Sequence, residues 1–255
     1  MNAPSRRYYS SLAPFRELFA TGAPLLTYHH VGARPRGVRL KGLYVSAKLF
    51  AQQMAELKAE GFETVEFGQV KSSKNESGRV FLTFDDGFSD VFENALATLR
   101  EHGFRAIQFL VSDLLGKASE WQKGSGEVPG KLMDRAQIKD WLAAGQEIGS
   151  HTMTHPHLTQ ISVSQAREEL VGSKKKLEDA FGRVVEHFCY PYGDWNPAIR
   201  DVVQQAGYKT ACTTKFGVNA LEADPFTLKR ITVRYPSRKL QNLGAWLRAS
   251  LGCSA

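Results

Sequence analysis

The sequence has few cysteines, and their spacing suits neither a disulfide framework nor a metal cluster. Only three occur among 255 residues, at Cys189, Cys212 and Cys253, and no pair has the Cys-x-x-Cys spacing. An odd count without that spacing gives no indication of paired disulfides or of a thiolate zinc site. With 42% hydrophobic residues the chain can instead bury a full core, as an ordinary globular domain does.

Long apolar runs are also missing. The first 20 residues carry three arginines and a glutamate, with no apolar core of signal-peptide length. No later stretch is long enough to span a bilayer. We therefore predict no transmembrane segment and a cytoplasmic location, although a chain already trimmed of an export signal would have the same features.

Positive charge is in excess but is not concentrated. The formal net charge is +7, and the tightest basic cluster, residues 174–176, lies within a helical pattern typical of a solvated face. An acidic glycan is compatible with this charge, whereas no dense basic run supports nucleic acid as a partner. We therefore expect no nucleic-acid partner. The oligomeric state is not indicated by the sequence.

Short apolar runs alternate with helical patterns along most of the chain. This alternation predicts parallel strands with right-handed crossovers, in either a closed barrel or an open doubly wound sheet. Periodicity does not separate the two, but both place the active site at the carboxyl ends of the strands. Strands are predicted at residues 25–28, 80–84, 106–111, 147–150, 188–190, 210–214 and 228–233.

Capping signals mark the starts of several predicted helices. Ser46, Asp134 and Ser162 each precede a helical pattern and can cap its first turn. A last helix is predicted at residues 240–251. Residues 116–130, rich in Gly, Lys and Ser, are predicted to form a long loop, and such loops in a compact domain are more often functional than not.

Two adjacent carboxylates follow the second predicted strand. The motif T-F-D-D-G at residues 83–87 places Asp85 and Asp86 at its carboxyl end. Successive side chains of an extended chain point in opposite directions, so one carboxylate can bind a cation while the other faces a bound water. A simple Asp-Gly turn is the alternative interpretation.

Two histidines follow the fourth predicted strand. His151 and His155 are four positions apart, which would place both imidazoles on one side of a helical turn. The glutamate of the H-E-x-x-H zinc-peptidase motif is absent, since Thr152 occupies its place. Such a pair also arises by chance on a surface. Together with one carboxylate, however, it would form a three-ligand metal site with open positions, as in catalytic sites.

A third motif, F-C-Y-P-Y-G at residues 188–193, follows the fifth predicted strand. Pro191 and Gly193 predict a rigid turn that could form the wall of a pocket, and Tyr192 could stack on a sugar face. A strand followed by an ordinary Pro-Gly turn is the alternative.

In combination, these three motifs closely resemble the polysaccharide deacetylase family (nodulation-protein-B homology, carbohydrate esterase family 4), over at least residues 25–233. The resemblance implies a single α/β domain with a distorted (β/α)7-type barrel. It also implies metal-dependent removal of acetyl groups from an N-acetylated sugar or glycan. In that family Asp85 would be the general base, while Asp86, His151 and His155 would hold a divalent metal, usually Zn2+.

The third motif is also predicted to have a role in binding the substrate. The turn at Pro191 and Tyr192 would contact the substrate, and the backbone N–H of Tyr192 would help to stabilise the oxyanion.

Two positions depart from the family pattern. An arginine that orients the catalytic aspartate is often found two residues before the motif's proline, where this chain has Cys189. The Leu-x-His motif that supplies the acid reads Leu228-Lys229-Arg230 here.

A subgroup resembling the deacetylases of biofilm poly-N-acetylglucosamine begins with a strand ending in Tyr-His, which matches residues 28–29. We therefore predict that His29 is the general acid, on the opposite side of the metal from Asp85, and that His30 turns outward or packs. Arg230 is predicted to orient Asp85.

We expect residues 1–23 to form an N-terminal extension and residues 24–255 the catalytic domain. Three alternatives stay open: an inactive carbohydrate-binding relative, an O-acetyl esterase, and a deacetylase of non-carbohydrate amides.

Overall fold

Seven parallel strands close into a barrel in the computed structural model, which describes residues 8–71 and 78–235. The first strand of the barrel pairs with the second and, on its other edge, with the last, so the sheet has no free edge. Two further strands of two residues each pair outside the barrel. The predicted α/β (β/α)7-type barrel is confirmed, and the open sheet is excluded.

The elements are numbered along the chain. The strands are β1 (Leu25–Tyr28), β2 (His30–Val31), β3 (Tyr44–Val45), β4 (Phe81–Phe84), β5 (Ala106–Leu110), β6 (Glu147–Ser150), β7 (His187–Cys189), β8 (Thr210–Phe216) and β9 (Leu228–Thr232). The helices are α1 (Arg16–Phe19), α2 (Ala47–Ala59), α3 (Ser89–His102), α4 (Arg135–Ala143), α5 (Val163–Phe181) and α6 (Pro197–Gln205).

All seven predicted strands are present, each within a few residues of its predicted bounds. Strands β2 and β3 were not predicted, because two residues are too short for any periodicity. The predicted final helix at residues 240–251 lies outside the described residues. The predicted loop at residues 116–130 contains a short 3-10 helix, Glu120–Ser125.

The predicted helix caps form as the sequence indicates. Ser46 accepts a hydrogen bond from the backbone N–H of Leu49, at the start of α2. Asp134 and Ser162 each form a complete capping box, at the starts of α4 and α5. These bonds satisfy N–H groups that have no partner within a helix, which fixes where the crossover helices begin.

Apolar side chains fill the barrel interior, among them Leu25, Phe81 and Phe109. Phe67, in a short 3-10 helix, packs against Phe81 and Phe109. Its backbone N–H donates to the carboxylate of Glu147, the first residue of β6. The amino end of the barrel is thereby closed by packing. The carboxyl end is left for polar side chains.

The described part of the predicted N-terminal extension is packed into the hydrophobic core between the barrel strands and the helices. Tyr9, Phe15 and Phe19 are buried in the same cluster as the strands and helices. The backbone N–H of Leu12 donates to the Glu56 carboxylate on α2. The predicted boundary after residue 23 therefore coincides with no break in packing.

Among the described residues, none of the helices is both long and apolar enough to cross a membrane. Two of the three cysteines, Cys189 and Cys212, lie in this part of the chain, where both are buried and free.

Candidate active site

Loops at the carboxyl ends of the barrel strands surround a pocket. Three motifs predicted from the sequence meet there: the two aspartates after β4, the two histidines after β6, and the turn after β7. The first strand adds His29. Loops that carry Leu40, Leu43 and Trp121 complete the wall.

Asp86, His151 and His155 converge at one point of the pocket. The Nε2 atoms of both histidines lie 3.3 Å from Oδ1 of Asp86. One ligand atom from each of the three residues lies within 4.8 Å of the other two, and all three side chains are buried. Burial alone would raise the pKa of Asp86, but hydrogen bonds to the two histidines hold it well below its ordinary value. The carboxylate is therefore ionised.

The histidine pair is not on a helical turn, which corrects the prediction. The segment after β6 is irregular, because Thr152 and His155 have left-handed backbones with φ of 69° and 66°. The Thr152 hydroxyl accepts the backbone N–H of His155, and Glu169 on α5 accepts those of Met153 and Thr154. These bonds give the two imidazoles their common direction without a helix.

Backbone strain is concentrated at this pocket. Within the described ranges, four residues other than glycine have positive φ: Asp86, Thr152, His155 and Tyr192. Such conformations are unfavourable for residues with a Cβ and persist where the surroundings impose them, often at functional sites. All four are among the ligand cluster and its immediate neighbours, which indicates that the fold is built to hold these side chains.

Arg230 binds Asp85 through two parallel hydrogen bonds. Its Nη1 and Nη2 atoms each lie 2.7 Å from one carboxylate oxygen, and its Nε donates to the Thr213 carbonyl. Burial alone would raise the pKa of Asp85, but the adjacent guanidinium more than offsets this and lowers it. Nη2 also lies 3.1 Å from Sγ of Cys189, so Arg230 lies beside the position where the family often has its arginine.

His29 lies beside Asp85 and not across the pocket from it, which corrects the predicted placement. Its Nε2 is 3.8 Å from Oδ2 of Asp85. The register explains this, because Tyr28 of β1 pairs with Phe84 of β4 and the next residue of each strand is therefore level with the other. Burial lowers the pKa of His29, and the nearby carboxylates only partly oppose that effect.

The side chain of His30 packs against its neighbours, which is one of the two placements predicted for it. Its ring is stacked between those of Tyr44 and Phe88, and its Nδ1 lies 2.8 Å from the Asp90 carboxylate. The side chain is only 3% exposed. His30 is therefore part of the core beside the pocket.

Tyr192 follows Pro191 at the mouth of the pocket and is 47% exposed. Its ring stacks on that of His157, with centroids 3.8 Å apart, so one face is already covered. It also lies against the ring of His155, with the two ring planes inclined by 74°. Only the remaining exposed surface is available to a ligand.

The remaining part of the pocket wall was not predicted residue by residue. Leu40 and Leu43 come from the loop between β2 and β3, and Trp121 comes from the loop at residues 116–130. The buried carboxylate of Glu127 joins the two loops, because it accepts the backbone N–H groups of Arg39 and Leu40. In the sequence, the length of the loop at residues 116–130 was the only feature that indicated a functional role for this part of the wall.

The donor set fits a divalent cation. One carboxylate oxygen and two imidazole nitrogens, buried and close together, form the three-ligand arrangement of catalytic zinc sites. The second nitrogen of His151, Nδ1, lies 2.7 Å from the Cys189 carbonyl, which fixes that ring with Nε2 toward Asp86.

Comparisons with known proteins identify relatives of this chain. The model of the polysaccharide deacetylase family matches residues 72–211. The Bacillus subtilis protein YxkH is 24% identical over 231 residues, 89% of this chain and 76% of YxkH. The chitooligosaccharide deacetylase of Azorhizobium caulinodans is 28% identical over 144 residues, 56% of this chain and 61% of that protein. The crystal structure of BC0361, a polysaccharide deacetylase from Bacillus cereus, superposes with a TM-score of 0.71 at 27% identity. That superposition covers 88% of this chain and 68% of BC0361.

The matched segment contains both aspartates, both histidines of the ligand cluster and the turn at Tyr192, whereas His29 and Arg230 lie outside it. It covers more than half of the chain. The protein therefore belongs to the polysaccharide deacetylase family.

Proposed function

We propose that this protein is a metal-dependent hydrolase that removes acetyl groups from an N-acetylated sugar or glycan. One observation carries the proposal: a buried carboxylate and two imidazoles converge beside a second, separately held carboxylate, in a pocket at the carboxyl end of the barrel. Two positioned carboxylates with different partners can take different roles, one as a ligand and one as a base.

Asp86, His151 and His155 would hold the metal, and their nitrogen-rich donor set suits Zn2+. A divalent cation polarises the amide carbonyl and acidifies water, which an uncharged amide needs because it is a poor electrophile. Asp85 is not one of these three proposed ligands. Its carboxylate is fixed by Arg230, which is positioned to orient it.

Asp85 and His29 can carry out the two proton transfers that the hydrolysis requires, one from water and one to the departing nitrogen. Asp85 accepts the proton of the water whose oxygen adds to the acetyl carbonyl carbon. When the carbon–nitrogen bond breaks, the departing nitrogen takes a proton from His29 and leaves as an amine, with acetate as the other product. Since Nε2 of His29 is 3.8 Å from the Asp85 carboxylate, a proton taken up by Asp85 can be passed to His29.

The substrate class is proposed from the pocket and the relatives together. Leu40, Leu43, Trp121 and the exposed part of Tyr192 give an apolar and aromatic wall of the kind on which sugar rings stack. The relatives named above include a deacetylase of chitooligosaccharides and one of polysaccharides. We assign the activity to residues 24–255, with the turn at Pro191 and Tyr192 contacting the substrate.

The test is acetate release from a panel of N- and O-acetylated sugars, with metal content measured on the same preparation. We expect release from N-acetylated sugars, loss on chelation and recovery with added zinc or cobalt. A protein that retains the metal but releases no acetate would be an inactive carbohydrate-binding relative. Release only from O-acetylated sugars would make it an esterase, and release only from other amides would place its substrate outside carbohydrates.

A further inference from the structure

The two histidines of the ligand cluster are held in different ways. Nδ1 of His151 is fixed by the carbonyl of Cys189 at 2.7 Å. Nδ1 of His155 is buried and has no hydrogen-bond partner among residues 8–71 and 78–235. Metal-binding histidines in proteins almost always have such a partner on the second nitrogen, because it sets the ring's orientation.

Aromatic rings surround His155 instead. The Trp121 ring stacks on it, with centroids 4.4 Å apart and planes inclined by 17°. The Tyr192 ring meets it at 4.6 Å and 74°. The backbone of His155 is fixed by Thr152, so only rotation of the side chain is left to control. A stacked ring on one side and a second ring at a steep angle restrict that rotation.

We propose that Trp121 is a positioning residue for the metal ligand His155, and that its stacked ring replaces the hydrogen bond that His151 has. The inference rests on the proposed metal site. It gives the loop at residues 116–130 a role in holding the metal, beyond forming a wall for the substrate.

The loop is built to hold Trp121 in place. At its base, the Ser119 hydroxyl donates to Gln122 and accepts the backbone N–H of Gly130, which closes the loop on itself. Further along, Glu127 anchors the loop to the segment at Arg39. The indole is therefore positioned by hydrogen bonds on both sides of it in the chain, as a positioning residue requires.

Zinc affinity of the metal-free protein is the direct measurement. We would titrate zinc into the wild type and variants in competition with a chromogenic chelator. Loss of an outer partner of a metal-binding histidine typically weakens metal binding about 10- to 100-fold, and we expect Trp121→Ala to fall in that range. Trp121→Phe keeps a stacking ring, so we expect its affinity within about threefold of the wild type.

Trp195→Ala is the matched control. Trp195 is also a partly buried tryptophan near the site, but its ring contacts Tyr190 and Lys215 and not the ligand cluster. We expect its zinc affinity to be unchanged. Trp121→Leu separates stacking from volume, since it retains bulk without a ring. It should resemble Trp121→Ala.

Cobalt spectra give a second readout that does not depend on activity. The visible absorption of bound Co2+ reports the ligand geometry, so we expect an altered spectrum for Trp121→Ala and a wild-type spectrum for Trp121→Phe. Thermal unfolding of the metal-free variants checks that each one folds. If Trp121→Ala fails to fold, the comparison of Trp121→Leu with Trp121→Phe takes its place.

Two outcomes would overturn the inference, and they are distinguishable. If the Trp121→Ala and Trp121→Leu variants bind zinc as tightly as the wild type with an unchanged cobalt spectrum, Trp121 does not position His155, while the proposed function stands. If the wild type itself binds no zinc, both the inference and the metal-dependent function are wrong.

Discussion

Asp85 and Asp86 are neighbours in the chain but have different partners. Asp86 faces two imidazoles, whereas Asp85 is held by the guanidinium of Arg230 through both of its oxygens. The left-handed backbone at Asp86 accounts for the divergence, because it turns the chain directly after the strand. This separation allows the two carboxylates to be tested independently.

Asp85→Asn should keep the metal and lose most of the turnover. The amide retains the shape of the side chain, but it can neither accept a proton nor carry its charge. We expect acetate release to fall about 10²- to 10⁴-fold, the range for loss of a general base. Metal content measured alongside is the control, and Asp86→Asn should lose the bound metal and, with it, the acetate release. Near-normal acetate release from the Asp85→Asn variant would disprove the role.

Arg230 and Cys189 occupy positions where the family often has histidine and arginine, respectively. Their side chains are in contact, with Nη2 and Sγ 3.1 Å apart, so in this chain a guanidinium reaches Asp85 from position 230 and not from position 189. Arg230→His alone would leave the buried Asp85 carboxylate without its partner. Breaking a buried ion pair in this way costs about 3–5 kcal/mol of the free energy of unfolding.

The double variant Cys189→Arg with Arg230→His should recover much of that loss. An arginine at position 189 can again pair with Asp85, and a histidine at position 230 can supply a proton. We expect urea unfolding to show a stability well above that of Arg230→His, and acetate release to depend less on His29 than it does in the wild type. A double variant that is no more stable than the single one would show that the two positions are not interchangeable.

The place of each residue in a strand, at a strand end or in a loop explains which parts of the site could be predicted from the sequence. The ligand cluster was accessible because each ligand lies within a few residues of a strand end, and parallel strands bring those ends together. The position of His29 relative to Asp85 was predicted wrongly, since it depends on the register between β1 and β4, which the sequence pattern does not contain. The individual residues of the loop wall gave no signal beyond the length of the loop at residues 116–130, because irregular loops have no periodicity.

Glu127 joins the two loops of that wall, which makes it the clearest test at the scale of elements. Glu127→Gln replaces one acceptor oxygen by an N–H donor that faces the backbone N–H groups of Arg39 and Leu40. Hydrogen bonds to charged groups contribute about 1.5–3 kcal/mol, and we expect part of that loss to raise KM roughly 3- to 10-fold. The kcat should fall less than KM rises, because the link holds the wall of the pocket directly and acts on the metal ligand His155 only through Trp121.

Glu120→Gln is the control for that experiment, because Glu120 lies in the same loop and pairs with Lys123 at the surface. Its KM should match the wild type. Equal effects of the two substitutions would indicate that charge, and not the link between the loops, governs KM.

At the scale of the whole molecule, the two ends of the barrel differ in chemistry. The carboxyl end carries the ionised groups of the site, while the amino end is closed by Phe67 over the carboxyl group of Glu147. Burial raises the pKa of Glu147 to about 7, and the hydrogen bond from Phe67 only partly opposes this. A negative charge on Glu147 therefore lowers the free energy of unfolding.

The sign of the pH dependence follows from the proton count. Between pH 4.5, the ordinary pKa of the group, and pH 7, the folded state holds a proton on Glu147 that the unfolded state has lost. Stability must therefore fall as the pH rises through this window, and the full penalty is present above pH 7. The shift corresponds to a penalty on the order of 1–3 kcal/mol.

Glu147→Gln should remove that penalty, because the amide is neutral at every pH and its oxygen can still accept the N–H of Phe67. We expect urea unfolding at pH 8 to show a variant more stable than the wild type, with a gain that shrinks toward zero near pH 4.5. Glu101→Gln, at an exposed position of α3, removes the same formal charge without the burial and should show no such trend. Acetate release at pH 8 should be unchanged, since the site lies at the other end of the barrel. A gain of equal size at both pH values would mean that packing, and not the ionisation of Glu147, limits stability at this end.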